Sequence, residues 1–221
     1  MKMISEKAIL DSDKELINRY STRLQKFGHD PRTLGWDTIE NQSTRFKIAT
    51  QSFDMVNSSV LDVGCGLADF YNYLKDKQIL ISEYSGIDIN PDLIKLCQKN
   101  VSEAKEFSVR NILINPLKPL SYDVVCMFGI LNFKFDGFEN KIFAKRMISE
   151  AFKIAKKAVV VDMLSIQIDS SYTKEKFVYY YDPLEMLEFS LSLTPHVQLR
   201  HDYSSIPQRE FLLVLTKNPC K

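Results

Sequence analysis

Charge of one sign, paired cysteines, ligand-spaced histidines and long apolar runs are all missing from this chain, and each absence removes a class of function. Its 29 basic and 28 acidic side chains leave a formal charge of +1, and no terminal tail carries a block of like charge. A polyanion feels no long-range pull, so dedicated electrostatic binding of nucleic acid is disfavoured. Cys65, Cys97, Cys126 and Cys220 lie far apart, three of them inside apolar stretches. They form neither a CxxC pair nor a dense disulfide framework, which fits reduced, cytosolic thiols. His29, His196 and His201 have no carboxylate or cysteine at ligand spacing, so no metal is expected. The first twenty residues carry charges every few positions, and the longest apolar run is the eight residues Val124 to Leu131. Neither a secretion signal nor a membrane span is expected, and a cytoplasmic location is.

What is present is an ordinary globular composition, 45% hydrophobic and 26% charged over 221 residues. A chain of this mass buries roughly 70% of its extended surface on folding, enough for one sizeable core. From Leu10 to Ile48 the pattern predicts two short helices joined by a loop, with GHDPR and LGW as the interruptions. Strand and helix then alternate. Strands are expected at Ser59–Gly64, Tyr84–Ile89, Glu106–Val109, Tyr122–Phe128 and Lys157–Leu164, with helices at Ala68–Asp76, Pro91–Val101 and Glu139–Ala155. The tail adds a helix from Pro183 and two strands, His196–Tyr203 and Glu210–Thr216, joined by the short loop SSIPQ. The expected fold is α/β: a mostly parallel seven-stranded Rossmann-like sheet with an antiparallel C-terminal hairpin and helices on both faces.

The strongest local signal is VLDVGCGLADF, Val60 to Phe70, where Gly64 and Gly66 occupy the turn between a strand and a helix. Glycine there permits positive φ and close approach of a ligand to the backbone. A dinucleotide-binding turn would place a third glycine where Asp69 stands, beside the helix N-terminus that receives a pyrophosphate. A carboxylate repels phosphate and suits a cationic group, and Asp62 adds a second negative charge nearby. The plainer alternative is a tight turn with no ligand. Asp88 follows about 20 residues later at a strand end, where a carboxylate can accept from both hydroxyls of a ribose. Asn90, not Asp88, sits at the natural cap of the next helix. Asn111 follows the strand EFSV, placed to read an adenine edge or simply to make a turn.

Together VLDVGCGLADF, GIDINPDLI, VRNIL and YDVVCMFGILNF resemble the successive motifs of the Rossmann-like S-adenosylmethionine-dependent methyltransferases, over about residues 59–164. The resemblance implies that Asp62, Gly64, Gly66 and Asp69 cradle the methionine part of S-adenosylmethionine. By the same resemblance Asp88 and Ile89 hold the ribose, Asn111 and Ile112 flank the adenine, and Phe128 lies with Gly129 beneath the sulfonium. Ala68 stands where family members usually have a third small glycine, and Asn111 replaces a more usual aspartate. The expected division is a helical lid over residues 1–50 and a cofactor-binding domain over 51–221.

The acceptor is less legible. The Asn/Asp-Pro-Pro-aromatic signature of amino-methylating DNA enzymes is absent after Phe128, which disfavours DNA bases, and no basic patch with interleaved aromatics suggests RNA. The basic residues between Lys141 and Lys157 alternate with apolar ones as the solvated side of an amphipathic helix. A small-molecule acceptor is therefore expected. Arg45 is a candidate to reach a carboxylate of the cofactor or substrate, or else a snorkelling surface arginine. Arg23, Trp36, Asn132, Tyr181 and Arg200 are candidates to hold the acceptor, with His201 and Tyr20 as candidate proton acceptors. Arg23, Arg45 and Arg200 keep an anionic acceptor open. The competing readings are a methyltransferase acting on RNA or protein, a silent cofactor-binding protein, and, opposed by Asp69, an NAD-dependent reductase.

Overall fold

The computed structural model describes residues 4–168, 172–204 and 209–219. The chain opens with α1 (Glu6–Phe27), a 3-10 turn (Pro31–Leu34) and α2 (Ile39–Ser52). The alternating part runs β1 (Ser59–Val63), α3 (Asp69–Asp76), β2 (Glu83–Asp88), α4 (Pro91–Asn100), β3 (Glu106–Val109), β4 (Tyr122–Met127), α5 (Asn140–Ile154) and β5 (Ala155–Leu164). It closes with α6 (Pro183–Leu193), β6 (Val197–Arg200) and β7 (Glu210–Thr216). One sheet results, in the order β3-β2-β1-β4-β5-β7-β6. The first five strands are parallel, while β7 runs antiparallel between β5 and β6. This is the Rossmann-like sheet with an antiparallel end that the sequence predicts.

Side chains alternate across a strand, and here both faces are buried. Leu61, Val125, Val159 and Leu213 enter one core together with the α5 residues Ala144, Ile148 and Ala151. Val60, Val124, Val160 and Val214 enter the other, together with Phe46 and Ala49 of α2 and Phe70 and Leu74 of α3. Residue 50, the expected boundary of the lid, thus falls inside α2, and Phe46, Ile48 and Ala49 are part of the core. On α5 the basic residues face outward, with Lys145 on Glu185 and Lys153 on Glu150, each at 2.8 Å.

Two elements differ from expectation. The first helix is long, 22 residues, because Ser5 caps it upstream of Leu10, and it stops where Gly28 adopts φ 65°. Only Ile9 is fully buried on it, so its apolar period is too weak to reveal its length. It is held against α4 by polar contacts: Ser21 Oγ donates to Asp92 (2.7 Å), and Asn90 Nδ2 donates to the Ile17 carbonyl (3.2 Å). Strand β6 is only four residues long, and Arg200 at its end turns its side chain to Asp202 (2.6 Å). Residues 205–208 of the expected loop and Cys220 lie outside the described residues; Cys65, Cys97 and Cys126 are buried and free. Among the described residues no helix is long and apolar enough to cross a membrane.

The segment after β5 folds back onto the loop after β4. Tyr181 donates its hydroxyl to the Leu131 carbonyl (2.8 Å), Leu164 N donates to Asn132 Oδ1 (2.9 Å), and Tyr179 N donates to the Asn132 carbonyl (2.9 Å). Of the three adjacent tyrosines, Tyr179 packs on Tyr181 and Tyr180 accepts from Glu175 N. Tyr181→Phe is expected to lower stability by about 1 kcal/mol, the net worth of a buried hydroxyl bond. An unchanged urea midpoint would remove Tyr181 as a strut.

Candidate active site

A cavity of about 150 Å3 opens at the carboxyl ends of β1, β2, β3 and β4, roofed by α1 and the 3-10 turn. The strand order reverses between β1 and β4, the place where an open parallel sheet leaves a crevice. Its floor is the glycine turn. Gly64 and Gly66 have φ of 76° and 55°, and Gly64 N and Cys65 N both donate to the Ile87 carbonyl. A Cβ on Gly64 would stand 2.2 Å from Ile130 Cγ2, and one on Gly66 would stand 2.7 Å from Leu34 Cδ1. Positive φ favours glycine at both positions, and at Gly64 a side chain would also run into the branched Ile130. Ala68, the cap of α3, takes φ 63° as well, a left-handed conformation that costs a non-glycine residue about 1 kcal/mol.

Four carboxylates line this cavity: Asp13, Asp62, Asp69 and Asp88. Asp62 points to the α2–α3 face and accepts from the Tyr84 hydroxyl (2.6 Å). Burial, reinforced by the neighbouring Asp88 and Asp69 charges and opposed by the Tyr84 bond, pushes its carboxyl up to about 7. Asp88 accepts from Gly66 N (3.1 Å) and Asn90 N (2.8 Å), so it braces the glycine turn, and burial raises its carboxyl too. Asp69 accepts from Gln42 Nε2 (2.8 Å), with His29 Nε2 at 3.7 Å. Asp13 is a residue that the sequence reading does not single out. It comes down from α1 on the same helical face as Leu16 and Tyr20, which also line the cavity. Both its oxygens accept from Asn111 Nδ2 (3.1 and 2.8 Å). Asn111 Oδ1 meanwhile accepts from Leu113 N (2.9 Å), so neither end of that amide is idle. Nothing in α1, where acids and bases alternate, marks Asp13 out in advance.

Arg45 lines the cavity but is not a surface arginine, being fully buried. Its Nη1 donates to Asp162 (2.7 Å), its Nη2 pairs with Glu210 (2.6 Å), and its guanidinium stacks on Trp36 at 3.5 Å from the ring centre. Asp162 Oδ1 also accepts from Gly129 N (2.6 Å). Arg45 thus borders the cavity as a buried cation shared by two carboxylates and not as a snorkelling surface arginine. Asp162 and Glu210 are not among the residues singled out from the sequence, although an acid inside AVVVDML and another opening EFLLVLT are a signal for a buried partner.

Trp36, Asp62, Gly64, Gly66, Asp69, Asp88, Ile89, Asn111, Ile112, Phe128 and Tyr20 all border the cavity, as expected of a shared site. Arg23, Asn132, Tyr181, Arg200 and His201 do not. Arg23 Nε donates to the Arg32 and Thr33 carbonyls and so fixes the 3-10 turn. Asn132 and Tyr181 are the struts described above, and Arg200 holds Asp202 and Ser52. His201 packs near Phe211, where burial lowers its affinity for a proton. Tyr20 is in place, but burial raises its phenol above the ordinary value, so it stays protonated and has no free charge with which to take a proton.

Residues 54–181 match the family model of a methyltransferase domain. No curated protein matches the chain. Among solved structures, the chain is similar to the magnesium protoporphyrin IX methyltransferase of Synechocystis PCC 6803 with bound SAH. The TM-score is 0.64 at 13% identity, over 93% of this chain and 100% of that one. It is also similar to a SAM dependent methyltransferase from Archaeoglobus fulgidus, with TM-score 0.57 and 14% identity, over 79% of this chain and 92% of that one.

The Asp62 carboxyl yields a pH dependence. In the unfolded chain it ionises near the ordinary aspartate value of 3.8, whereas in the folded protein it keeps its proton to about 7. Between those values the unfolded state binds fewer protons, so the Asp62 contribution to stability falls as pH rises and levels off above about 7. Urea midpoints across that window should decline less steeply in Asp62→Asn than in the wild type. Parallel profiles would place the Asp62 ionisation elsewhere.

Proposed function

Since this chain belongs to the methyltransferase-domain family, we propose that it carries the methyl group of S-adenosylmethionine to an oxygen or nitrogen of a small molecule. The observation that carries this reading is one cavity in which a glycine turn and four carboxylates converge. The turn carries no side chain at Gly64 or Gly66, and Ile130 and Leu34 pack directly over these two positions. The carboxylates suit a cofactor with an ammonium, a sulfonium and a ribose diol, and they oppose the pyrophosphate of NAD.

In this reading Asp62 and Asp69 face the methionine end, Asp88 the ribose, and Ile89 with Ile112 the flat faces of the base. Asn111 contributes jointly with Asp13, because its amide is already turned toward that carboxylate. Phe128 and Gly129 form the floor beneath the reacting carbon, and Asp162 keeps that floor in place through the Gly129 amide. When bound, S-adenosylmethionine would supply an electrophilic methyl, which an acceptor lone pair would take with the bonding pair left on sulfur and the acceptor proton released to solvent. The chain's own part is to align the acceptor and exclude water, which α1 and the 3-10 turn do from above. Neither His201, which lies off the cavity, nor the raised Tyr20 phenol is needed as a base in such a displacement.

A small acceptor is favoured over a macromolecule by the roof that covers the cavity and by a net charge of only +1. Calorimetric titration tests the reading directly. S-adenosylmethionine and S-adenosylhomocysteine should bind in the micromolar range, and NAD should not. Asp88→Asn should weaken both by roughly 10- to 100-fold, as expected for hydrogen bonds to a charged group. Unchanged affinity would take Asp88 out of the ribose role, and binding of NAD alone would overturn the proposal.

A further inference from the structure

We infer that the methyl acceptor is an uncharged aromatic molecule, received against a wall formed by Leu34, Trp36, Phe128, Ile130 and Phe133. The inference rests on the methyl-transfer reading and adds the class of substrate to it.

The wall is defined by what it touches. Ile130 packs on Gly64, Leu34 on Gly66, and Trp36 on Gly129, where a Cβ would stand 2.8 Å from Trp36 Cζ2. These three side chains therefore crowd the end of β4 and the glycine turn together, where a methyl group must be handed over. Phe128 continues the surface into an aromatic cluster, with its ring 4.9 Å from Phe70 and 5.2 Å from Phe46. Phe133 extends it under α1, where Arg19 lies 5.7 Å above the ring. All five residues are half-buried and border the cavity, as expected of apolar groups that meet a ligand rather than one another.

Charge decides against an anionic acceptor. The three arginines that would serve one are all engaged: Arg23 with the Arg32 and Thr33 carbonyls, Arg45 with Asp162 and Glu210, Arg200 with Asp202 and Ser52. Arg110, which also borders the cavity, sits beside Asn111 at the β3 end and donates to the Asn115 carbonyl. Four carboxylates share the enclosure, so a carboxylate or phosphate entering it would meet like charge, and the cation at the Phe133 end of the wall, Arg19, lies over the Phe133 and Phe177 rings outside the cavity lining. A neutral hydroxyl or amine on an aromatic frame meets neither penalty. It contributes the lone pair and releases one proton to solvent.

The test uses a pair of probes that differ in charge but little in shape, 2-naphthol and 2-naphthoate, titrated into the protein saturated with S-adenosylhomocysteine. Trp36 is the only tryptophan, so its emission reports the wall without any substitution. Naphthol should shift that emission and bind about tenfold or more tighter than naphthoate by calorimetry. Trp36→Leu should weaken naphthol about tenfold, and by more than it weakens S-adenosylhomocysteine. Equal or tighter binding of naphthoate, or no response of Trp36 to naphthol, would overturn the inference while the methyl-transfer reading stands. Failure of S-adenosylhomocysteine to bind the wild type would sink both.

Discussion

The buried ion cluster of Arg45, Asp162 and Glu210 is the contact on which the rest of the arrangement depends. Asp162 and Glu210 sit on neighbouring antiparallel strands, in register through Asp162↔Leu212 and Leu164↔Glu210, so both point to the face covered by α2. Desolvating three charges costs several kcal/mol each, and their mutual attraction repays it only in good geometry. Such a cluster is weak evidence for added stability, but it constrains position. Arg45 can satisfy both acids only if α2 lies where it does, and Asp162 is then aimed at the Gly129 amide. One guanidinium therefore fixes the N-terminal segment, the end of the sheet and the loop that follows β4.

That constraint also sorts the charges of the site. The cations near the β4 end are committed to protein partners, whereas the acids of the cavity keep surfaces turned toward it, held by neutral donors such as Tyr84, Gln42, Gly66 and Asn111. A neutral donor leaves a carboxylate its charge, while an arginine cancels it. The enclosure is consequently acidic, and burial raises the cost of that acidity until a cation arrives. The upward push on Asp62, Asp88 and Asp13 is the ligand-free expression of the same imbalance.

The order of elements was legible because a parallel sheet covered on both faces demands continuous apolar strands separated by helices, and AVVVDML or YDVVCM can hardly be anything else. The glycine turn was legible because positive φ favours glycine at 64 and 66. Asp88 was legible from spacing alone. What was not legible is the direction of a side chain from a loop. Asn132 lies between the cavity residues Ile130 and Phe133 in sequence, yet it and Tyr181 turn inward because Leu164 and Leu131 have backbone groups to satisfy there. Arg200 and His201 were judged by chemistry, which says what a residue can do and not where it points. Asp13 was hidden because a helix with many charges does not disclose which of them faces inward.

The roof is where these strands of argument meet. Leu34 rests on the glycine that braces Asp88, Trp36 rests on the amide that Asp162 holds, and Arg23 locks the 3-10 turn that carries Leu34. A ligand that enters between floor and roof must press against Leu34 and Ile130, since both occupy the space a glycine leaves open. Cofactor and acceptor surfaces are then two sides of one packed layer, and a change in the height of the roof reaches both. Close-packed interiors transmit such displacements instead of absorbing them. The polar contacts of α1 to α4, made through Ser21, Asp92 and Asn90, can be exchanged for water far more cheaply than the Arg45 cluster. Of the two helices that border the cavity from the N-terminal segment, α1 is thus held chiefly by exchangeable polar contacts and α2 by a buried ion cluster.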